Sequence, residues 1–152
     1  MEQIIALGAD HGGFLIKEEI KNHLLKNNFK VIDFGTDNDT ISVDYPVFAE
    51  KVSKAIREEK ARFGILCCGT GIGMSIAANK FPGIRAAVCE STFCCEMTRR
   101  HNDANVLCLG GRVIDKDTAL KLVDIFLNTQ FDGGRHQRRL DLIKKIELNS
   151  KI

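Results

Sequence analysis

Short apolar runs alternate with longer segments of helical periodicity along the chain. The runs are apolar at nearly every position rather than at alternate positions, which is typical of strands in a parallel sheet covered on both faces. They span residues 3–9, 29–34, 62–68, 84–89 and 106–110. Because a helical segment follows each run, the pattern predicts an α/β protein, a three-layer α/β/α Rossmann-like sandwich with a five-stranded parallel sheet.

The segments between the runs carry apolar residues at helical spacing. The predicted helices span residues 14–26, 46–59, 91–100 and 115–128, with a further helix that starts near residue 71. Pro46 suits the first turn of its helix, and the side chains of Ser91 and Asp115 can accept hydrogen bonds from N–H groups as caps.

A C-terminal helix is predicted over residues 137–149. Leu140, Ile143 and Ile146 form one apolar stripe along it. Because no further strand precedes this helix, the stripe either covers the sheet or reaches a partner subunit.

The composition is that of an ordinary globular domain. The chain has 152 residues, and no linker or low-complexity run divides it, so we expect a single domain over residues 1–152. Lys and Arg number 22 against 20 Asp and Glu, a balance that indicates no nucleic-acid partner. The N-terminus has no secretory pattern and no apolar stretch approaches about 18 residues, so we expect a cytoplasmic protein without a membrane segment.

Six cysteines are present, and without an export signal we expect them to be reduced thiols. The adjacent pairs 67–68 and 94–95 lack the Cys-x-x-Cys spacing of zinc and thioredoxin-like sites. Cys89 and Cys108 lie in apolar runs and are interpreted as core residues.

Cys68 ends the third apolar run, where the chain enters a glycine-rich turn that opens a helix. Gly69, Gly71 and Gly73 allow a tight turn whose N–H groups point at a bound anion, and the helix start adds a positive partial charge. Both features stabilise a thiolate, so Cys68 is a candidate base or nucleophile beside an oxyanion site. The alternative is a strand-end cysteine that only packs in the core.

The glycine turn is also compatible with other functions. It spells Gly-Thr-Gly-Ile-Gly rather than the dinucleotide fingerprint Gly-x-Gly-x-x-Gly, but Glu90 lies near the distance at which that fingerprint places its ribose-binding acid. A non-catalytic nucleotide-binding module therefore stays open. A thiol redox protein is less favoured, because Cys67 is expected on the opposite face of the strand from Cys68 and cannot resolve it.

Polar residues follow other runs at the carboxyl ends of the strands, where doubly wound sheets bind ligands. Asp10 and His11 follow the first run, Tyr45 follows the second, and Arg112 follows the fifth.

Two later segments add candidate site residues. His101 and Asn102 end the fourth predicted helix, and Arg135 and Arg139 stand at the start of the last one. The two arginines are four residues apart, so they share a helix face that can hold a phosphate. The alternatives are a histidine that caps a helix and a solvated basic surface.

Five separated motifs, beginning Asp-His-Gly, Asp-Tyr-Pro, Cys-Gly-Thr-Gly, Arg-His-Asn-Asp and Gly-Gly-Arg-His, occur at residues 10–12, 44–46, 68–80, 100–103 and 133–139. Together they resemble the ribose/galactose isomerase family and, within it, the type B ribose-5-phosphate isomerases. The similarity runs from residue 4 to about residue 146. It implies a Rossmann-type α/β/α sandwich, a dimer or dimer of dimers, and an enzyme that needs no metal or other cofactor.

The resemblance implies interconversion of D-ribose 5-phosphate and D-ribulose 5-phosphate through an enediolate. In that reaction Cys68 moves a proton between C2 and C1, while His101 assists opening of the furanose ring with Thr70 nearby. The turn would bind the enediolate oxygen through Gly69, Gly71, Ile72 and Gly73. Isomerisation of a hexose 6-phosphate, of allose or galactose, is an alternative that shares nearly all the motifs.

The resemblance also implies contacts with the substrate. Sugar hydroxyls would be held by Asp10, Tyr45 and Asn102. The phosphate would be bound by His11, Arg135 and Arg139, with Arg112 near it. Each site would be shared between subunits, with His101, Asn102, Arg135 and Arg139 of one chain completing a site that holds Asp10, His11 and Cys68 of another.

Overall fold

Five parallel strands form one sheet in the computed structural model, which describes residues 3–150. Their order across the sheet is β2-β1-β3-β5-β4. The strands are β1 (Ile4–Ala9), β2 (Lys30–Asp33), β3 (Phe63–Cys68), β4 (Ala86–Val88) and β5 (Val106–Gly110). The predicted Rossmann-like sandwich with a five-stranded parallel sheet is confirmed.

Strand β4 is shorter than the apolar run that predicted it. The N–H of Ile84 donates to the carbonyl oxygen of Phe81 at 3.1 Å, which closes a turn, and the N–H of Arg85 donates to the side-chain oxygen of Asn105 at 2.8 Å. These two residues therefore belong to the turn that leads into the strand, and the pairing with β5 begins at Ala86.

The helices are α1 (Phe14–Lys26), α2 (Tyr45–Arg57), α3 (Ile72–Ala78), α4 (Thr92–Asn102), α5 (Lys116–Asn128) and α6 (Arg135–Asn149). Both predicted caps are confirmed, since Ser91 accepts a hydrogen bond at 3.2 Å and Asp115 accepts one at 2.8 Å. Helix α6 begins at Arg135, before the predicted start, because Gly134 adopts a φ of +56° and turns the chain into the helix there.

Two apolar cores lie on the two faces of the sheet. Helices α1, α4 and α5 cover one face, and α2 and α3 cover the other. Cys67 and Cys89 belong to the first core, whereas Cys68 and Cys108 belong to the second. The predictions that Cys67 and Cys68 point to opposite faces, and that Cys89 and Cys108 are core residues, are confirmed. All six cysteines are free thiols.

Helix α6 lies outside the three layers and packs against α4. Leu140 is buried, but Ile143 and Ile146 are 48% and 66% exposed. The alternative in which the apolar stripe covers the sheet is therefore wrong, and most of the stripe faces outward. Among residues 3–150, no helix combines the length and the apolar character that crossing a bilayer requires.

The neighbouring strands β1 and β3 send the chain to opposite faces of the sheet. Helix α1 follows β1 on the face of α5, whereas α3 follows β3 on the face of α2. Because the two outgoing loops diverge, they leave a crevice at the carboxyl edge, where doubly wound sheets bind ligands.

Candidate active site

Three loops meet at the carboxyl edge of the sheet. The N–H of Asp10 donates to the carbonyl oxygen of Cys67 at 3.2 Å, and the N–H of Gly111 donates to that of Cys68 at 2.8 Å. The N–H of Arg112 donates to the carbonyl oxygen of Gly69 at 3.0 Å. These bonds fix the loops after β1, β3 and β5 relative to one another.

Cys68 lies where β3 enters the glycine turn. Its side chain is 5% exposed, and its Sγ accepts a hydrogen bond from the backbone N–H of Gly71 at 3.0 Å. Gly71 has a φ of +79°, and a Cβ there would lie 3.0 Å from the carbonyl carbon of Leu109. Only glycine fits this position without strain, and glycine brings the donating N–H to the sulfur.

The neighbouring thiol has a different environment. Cys67 is fully buried on the opposite face of the sheet. Burial raises the pKa of Cys67 well above its usual value, and the nearby Cys68 adds to that rise. Cys67 therefore remains a protonated thiol at neutral pH.

Asp10 and His11 lie in the loop after β1. Asp10 is 8% exposed and accepts a hydrogen bond from the N–H of Gly13 at 3.1 Å. His11 accepts a hydrogen bond on Nδ1 from the N–H of Val43 at 3.2 Å. Because Nδ1 is an acceptor, the neutral ring carries its proton on Nε2, which is then a donor.

Tyr45 begins α2 and reaches the start of α3. A Cβ built at Gly73 would lie 2.7 Å from Cζ of Tyr45, so the phenol ring rests directly against the backbone of Gly73. The ring is 38% exposed. The two predicted site residues are therefore in contact beside the Cys68 turn.

Arg112 and Thr70 complete this half of the site. A Cβ at Gly12 or at Gly69 would lie 3.3 or 3.2 Å from a guanidinium nitrogen of Arg112, so the guanidinium bridges the loops after β1 and β3. Oγ1 of Thr70 accepts a hydrogen bond from the N–H of Ile72 at 3.3 Å. The structure thus brings together the predicted residues Asp10, His11, Tyr45, Cys68, Gly69, Thr70, Gly71, Ile72, Gly73 and Arg112.

His101 and Asn102 lie at the opposite edge of the sheet, where the strands begin. Arg85, which directly precedes β4, donates from Nε to the carbonyl oxygen of Asn102 at 3.0 Å. Strand β5 is five residues long and separates the two edges by about 16 Å, at about 3.3 Å per residue. His101 and Cys68 of one chain are therefore too far apart to act on the same small substrate.

Arg135 and Arg139 belong to the same distant half. The N–H of Asp132 donates to the carbonyl oxygen of Arg100 at 3.0 Å, which ties the loop before α6 to the last turns of α4. Both Arg135 and Arg139 are exposed, and because they are four residues apart they share one side of α6.

His136 was given no role by the sequence, although it lies within the fifth motif. Its ring is 6% exposed and stacks on the ring of His101, with 4.2 Å between centroids and 11° between planes. Burial lowers the pKa of His136, and His101, Arg135 and Arg139 lower it further, while Asp132 opposes them. The ring is therefore neutral at neutral pH.

This cluster suits an anion better than a metal cation. The nearest ligand atoms of His101, Asp132 and His136 lie within 4.8 Å of one another. The lone pairs of two nearly parallel rings do not converge on one point, however, and the guanidinium of Arg100 already contacts both carboxylate oxygens of Asp132 at 3.2 Å. Arg135 adds further positive charge.

The position of Glu90 disfavours a dinucleotide site. Glu90 follows β4, and β5 lies between β4 and β3. In the dinucleotide fold the ribose-binding acid follows a strand adjacent to the one that carries the glycine turn. Glu90 therefore does not stand beside the turn that begins at Gly69.

Fold and site together define a doubly wound α/β enzyme with a hydrogen-bonded thiol at its ligand-binding edge. The sequence model described as Ribose/Galactose Isomerase matches residues 5–143. The chain belongs to this family, and it is an isomerase.

Named relatives agree with this membership. The chain is 48% identical to ribose-5-phosphate isomerase B of Escherichia coli over 143 residues, which is 94% of this chain and 95% of the relative. Ribose-5-phosphate isomerase B of Clostridium thermocellum has a solved structure that superposes with a TM-score of 0.96, at 50% identity, over 98% of this chain and 100% of that one. The enzyme of Mycoplasma genitalium, solved with bound ribulose-5-phosphate, superposes with a TM-score of 0.93, at 40% identity, over 97% and 98% of the two chains.

Proposed function

We propose that this enzyme interconverts D-ribose 5-phosphate and D-ribulose 5-phosphate, a reaction of the pentose phosphate pathway, and that Cys68 transfers the proton. The observation that carries the proposal is the hydrogen bond from Gly71 to Sγ of Cys68, at the edge that also holds Asp10 and His11. Relatives named as ribose-5-phosphate isomerase B, which cover nearly the whole chain, support the choice of substrate.

The proton transfer needs a base and a stabilised oxyanion. The Cys68 thiolate removes the proton from C2 of the open-chain aldose, the C1–C2 double bond forms, and the carbonyl oxygen on C1 becomes the negative oxygen of the enediolate. Return of the proton to C1, with a proton shift from O2 to O1, gives the ketose. In this proposal the turn over residues 69–73 supplies N–H groups that stabilise the developing charge, and one such donor contributes about 2.7 to 4 kcal/mol.

Ring opening precedes this step. His101 serves as the acid and base that open the furanose, a task suited to an imidazole ring, which can both donate and accept a proton. Asp10, Tyr45 and Asn102 hold sugar hydroxyls. The phosphate is bound by His11, Arg135 and Arg139. Arg112, which lies beside the Cys68 turn, neutralises part of the phosphate charge. All these steps are proton transfers, so no metal or other cofactor is required.

The site is completed by a second copy of the chain. His101 and Cys68 of one chain stand at opposite edges of the sheet, so the proposed residues meet only if a second subunit supplies His101, Asn102, Arg135 and Arg139. The residues described here support a two-fold dimer of single-domain chains. A groove of about 720 Å³ runs beside Asn102 and is lined in part by Ile84, Ala86, Ala87, Ala104, Ile143 and Ile146.

The occupant of this groove is proposed to be α3 of the second subunit. Ile72 and Ile76 lie four residues apart on α3 and are 52% and 58% exposed, so they form an apolar ridge. Because α3 starts at the Cys68 turn, its docking in the groove brings Cys68 next to Asn102 and His101. A cytoplasmic setting fits the six free thiols.

Parallel assays test the substrate. Purified protein is offered ribose 5-phosphate, allose 6-phosphate and galactose 6-phosphate, and the ketose products are quantified. The proposal expects the highest kcat/KM for ribose 5-phosphate. A higher kcat/KM for a hexose 6-phosphate would show that the proposed substrate is wrong. Binding of NAD or ATP without any isomerisation would show that the proposed function is wrong.

A further inference from the structure

His136 is the buried member of a pair of stacked histidines. Its ring is 6% exposed and lies at the first turn of α6, whereas the partner ring, His101, ends α4. The ring centroids are 4.2 Å apart and the ring planes differ by 11°. A nearly parallel aromatic contact of this kind holds one flat face against another and limits rotation of the more exposed ring.

Hydrogen bonds fix the loop before α6 relative to α4, the helix that carries His101. The N–H of Asp132 donates to the carbonyl oxygen of Arg100 at 3.0 Å, and the Arg100 guanidinium reaches both carboxylate oxygens of Asp132 at 3.2 Å. The N–H of His136 donates to the carbonyl oxygen of Gly133 at 3.1 Å. The backbone that carries His136 is thereby tied to the helix that carries His101.

Burial and nearby positive charge keep the His136 ring neutral. Burial lowers the pKa of His136, and the guanidinium groups of Arg135 and Arg139 lower it further. A neutral, flat ring therefore lies against the ring of His101.

We propose that His136 is a positioning residue that holds the imidazole of His101 by face-to-face stacking, so that His101 presents a nitrogen to the furanose ring oxygen and C1 hydroxyl of the substrate. This inference rests on the proposed role of His101 in ring opening. The nitrogens of His136 itself make no contact with the substrate in this arrangement; its contribution is the flat face.

Two substitutions distinguish the contribution of the flat ring face of His136 from that of its ring nitrogens. His136→Phe keeps a planar ring and removes both nitrogens, whereas His136→Leu fills the buried space without a flat face. Gln137→Ala is the matched control, because Gln137 is exposed on the same turn and its side chain donates to the carboxylate of Asp141 at 2.9 Å. Thermal unfolding and size in solution are measured for every variant, which identifies any loss of folding or assembly.

The expected result is a difference between the two variants. His136→Leu lowers kcat for ribose 5-phosphate by on the order of 10- to 100-fold, the cost of a misplaced catalytic group, with KM within about twofold. His136→Phe stays within about threefold of the unmodified enzyme. Nitrogen-15 NMR spectra of the imidazoles show the His101 resonances unchanged in position with Phe and shifted or broadened with Leu.

Three outcomes overturn the proposal. If His136→Phe and His136→Leu are both as active as the unmodified enzyme, stacking on His101 is dispensable. Equal impairment of both, with raised KM and weaker inhibition by inorganic phosphate, means that a His136 nitrogen binds the phosphate. Unaltered His101 resonances in the Leu variant mean that the stack does not hold the ring. Full activity of His101→Asn would show instead that His101 has no role in ring opening. The NMR comparison would still test whether His136 holds the His101 ring.

Discussion

The backbone N–H of Gly71 points at Sγ of Cys68 across 3.0 Å. A negative charge on that sulfur would be hydrogen-bonded directly, because the donor is already in place before any substrate binds. The left-handed φ of Gly71 makes this geometry possible. One glycine thus places a hydrogen-bond donor against a buried strand-end cysteine at the ligand-binding edge.

Cys68→Ala should abolish isomerisation while leaving the fold intact, and Cys67→Ala should retain most activity. The two thiols are adjacent, but Cys67 lies in the opposite core and its pKa is raised by burial. Steady-state rates and thermal unfolding of both variants provide the measurement. Iodoacetamide should inactivate the enzyme with protection by substrate. Equal losses in the two variants would contradict the assignment of Cys68.

His101→Asn should depress turnover of ribose 5-phosphate much more than turnover of D-erythrose 4-phosphate, which cannot close a furanose ring. The reason is that ring opening precedes proton transfer at carbon and is needed only for the cyclic substrate. The measurement is the ratio of the kcat values for the two substrates, compared between the variant and the unmodified enzyme. An equal depression for both would assign His101 to the chemical step or to the fold.

Gly73→Ala should raise KM by on the order of tenfold, because the new Cβ would stand 2.7 Å from Cζ of Tyr45 and displace the phenol from the sugar. In a Tyr45→Leu background the same substitution should add little, since the ring that it displaces is gone. A double-mutant cycle on KM measures this coupling. Additive losses would show that Gly73 acts independently of Tyr45.

Asp33→Asn should lower the free energy of unfolding by about 1.5 to 3 kcal/mol, because the ammonium group of Lys17, 1% exposed, loses its charged partner at 2.8 Å and keeps only Glu18, at 2.7 Å, as a carboxylate partner. Glu50→Gln is the control: it removes a surface pair with Lys54 and should cost at most about 1 kcal/mol. Urea unfolding of both variants compares the two costs.

The Asp33 effect should also depend on pH. Burial opposes ionisation of Asp33, but hydrogen bonds from Lys17 and Lys21 outweigh it and hold the pKa below the usual 3.8. A lowered carboxyl pKa stabilises the folded state above the unfolded value, and this contribution is lost as pH falls through the folded value. The difference between unmodified protein and Asp33→Asn should therefore be largest near neutral pH and shrink below 3.8. A constant difference would contradict this account.

Local chemistry made much of the fold predictable from the sequence. An apolar run of strand length indicates a strand that is buried on both faces of the sheet. Because successive side chains of a strand point to opposite faces, Cys67 and Cys68 could be assigned to different cores. The caps at Ser91 and Asp115 are short-range hydrogen bonds, so residue type and position sufficed.

Contacts between distant segments could not be predicted in the same way. The meeting of Tyr45 with Gly73, and the stacking of His136 on His101, depend on how two loops and a helix that lies outside the layers are placed in space. No local pattern encodes that placement. The five motifs supplied candidate residues for a site, but only the strand order shows that one chain divides them between two ends of the sheet.

The shared active site is tested most directly by mixing two inactive variants. Cys68→Ala subunits and His101→Asn subunits are dissociated, mixed in equal amounts and reassociated, and exchange is verified by mass. Random pairing makes about half of all dimers mixed, and a two-fold dimer has two equivalent sites, of which one is intact in each mixed dimer. The account predicts recovery of about a quarter of the unmodified activity. Activity that stays at the level of the separate variants, despite confirmed exchange, would mean that each site is built within one chain.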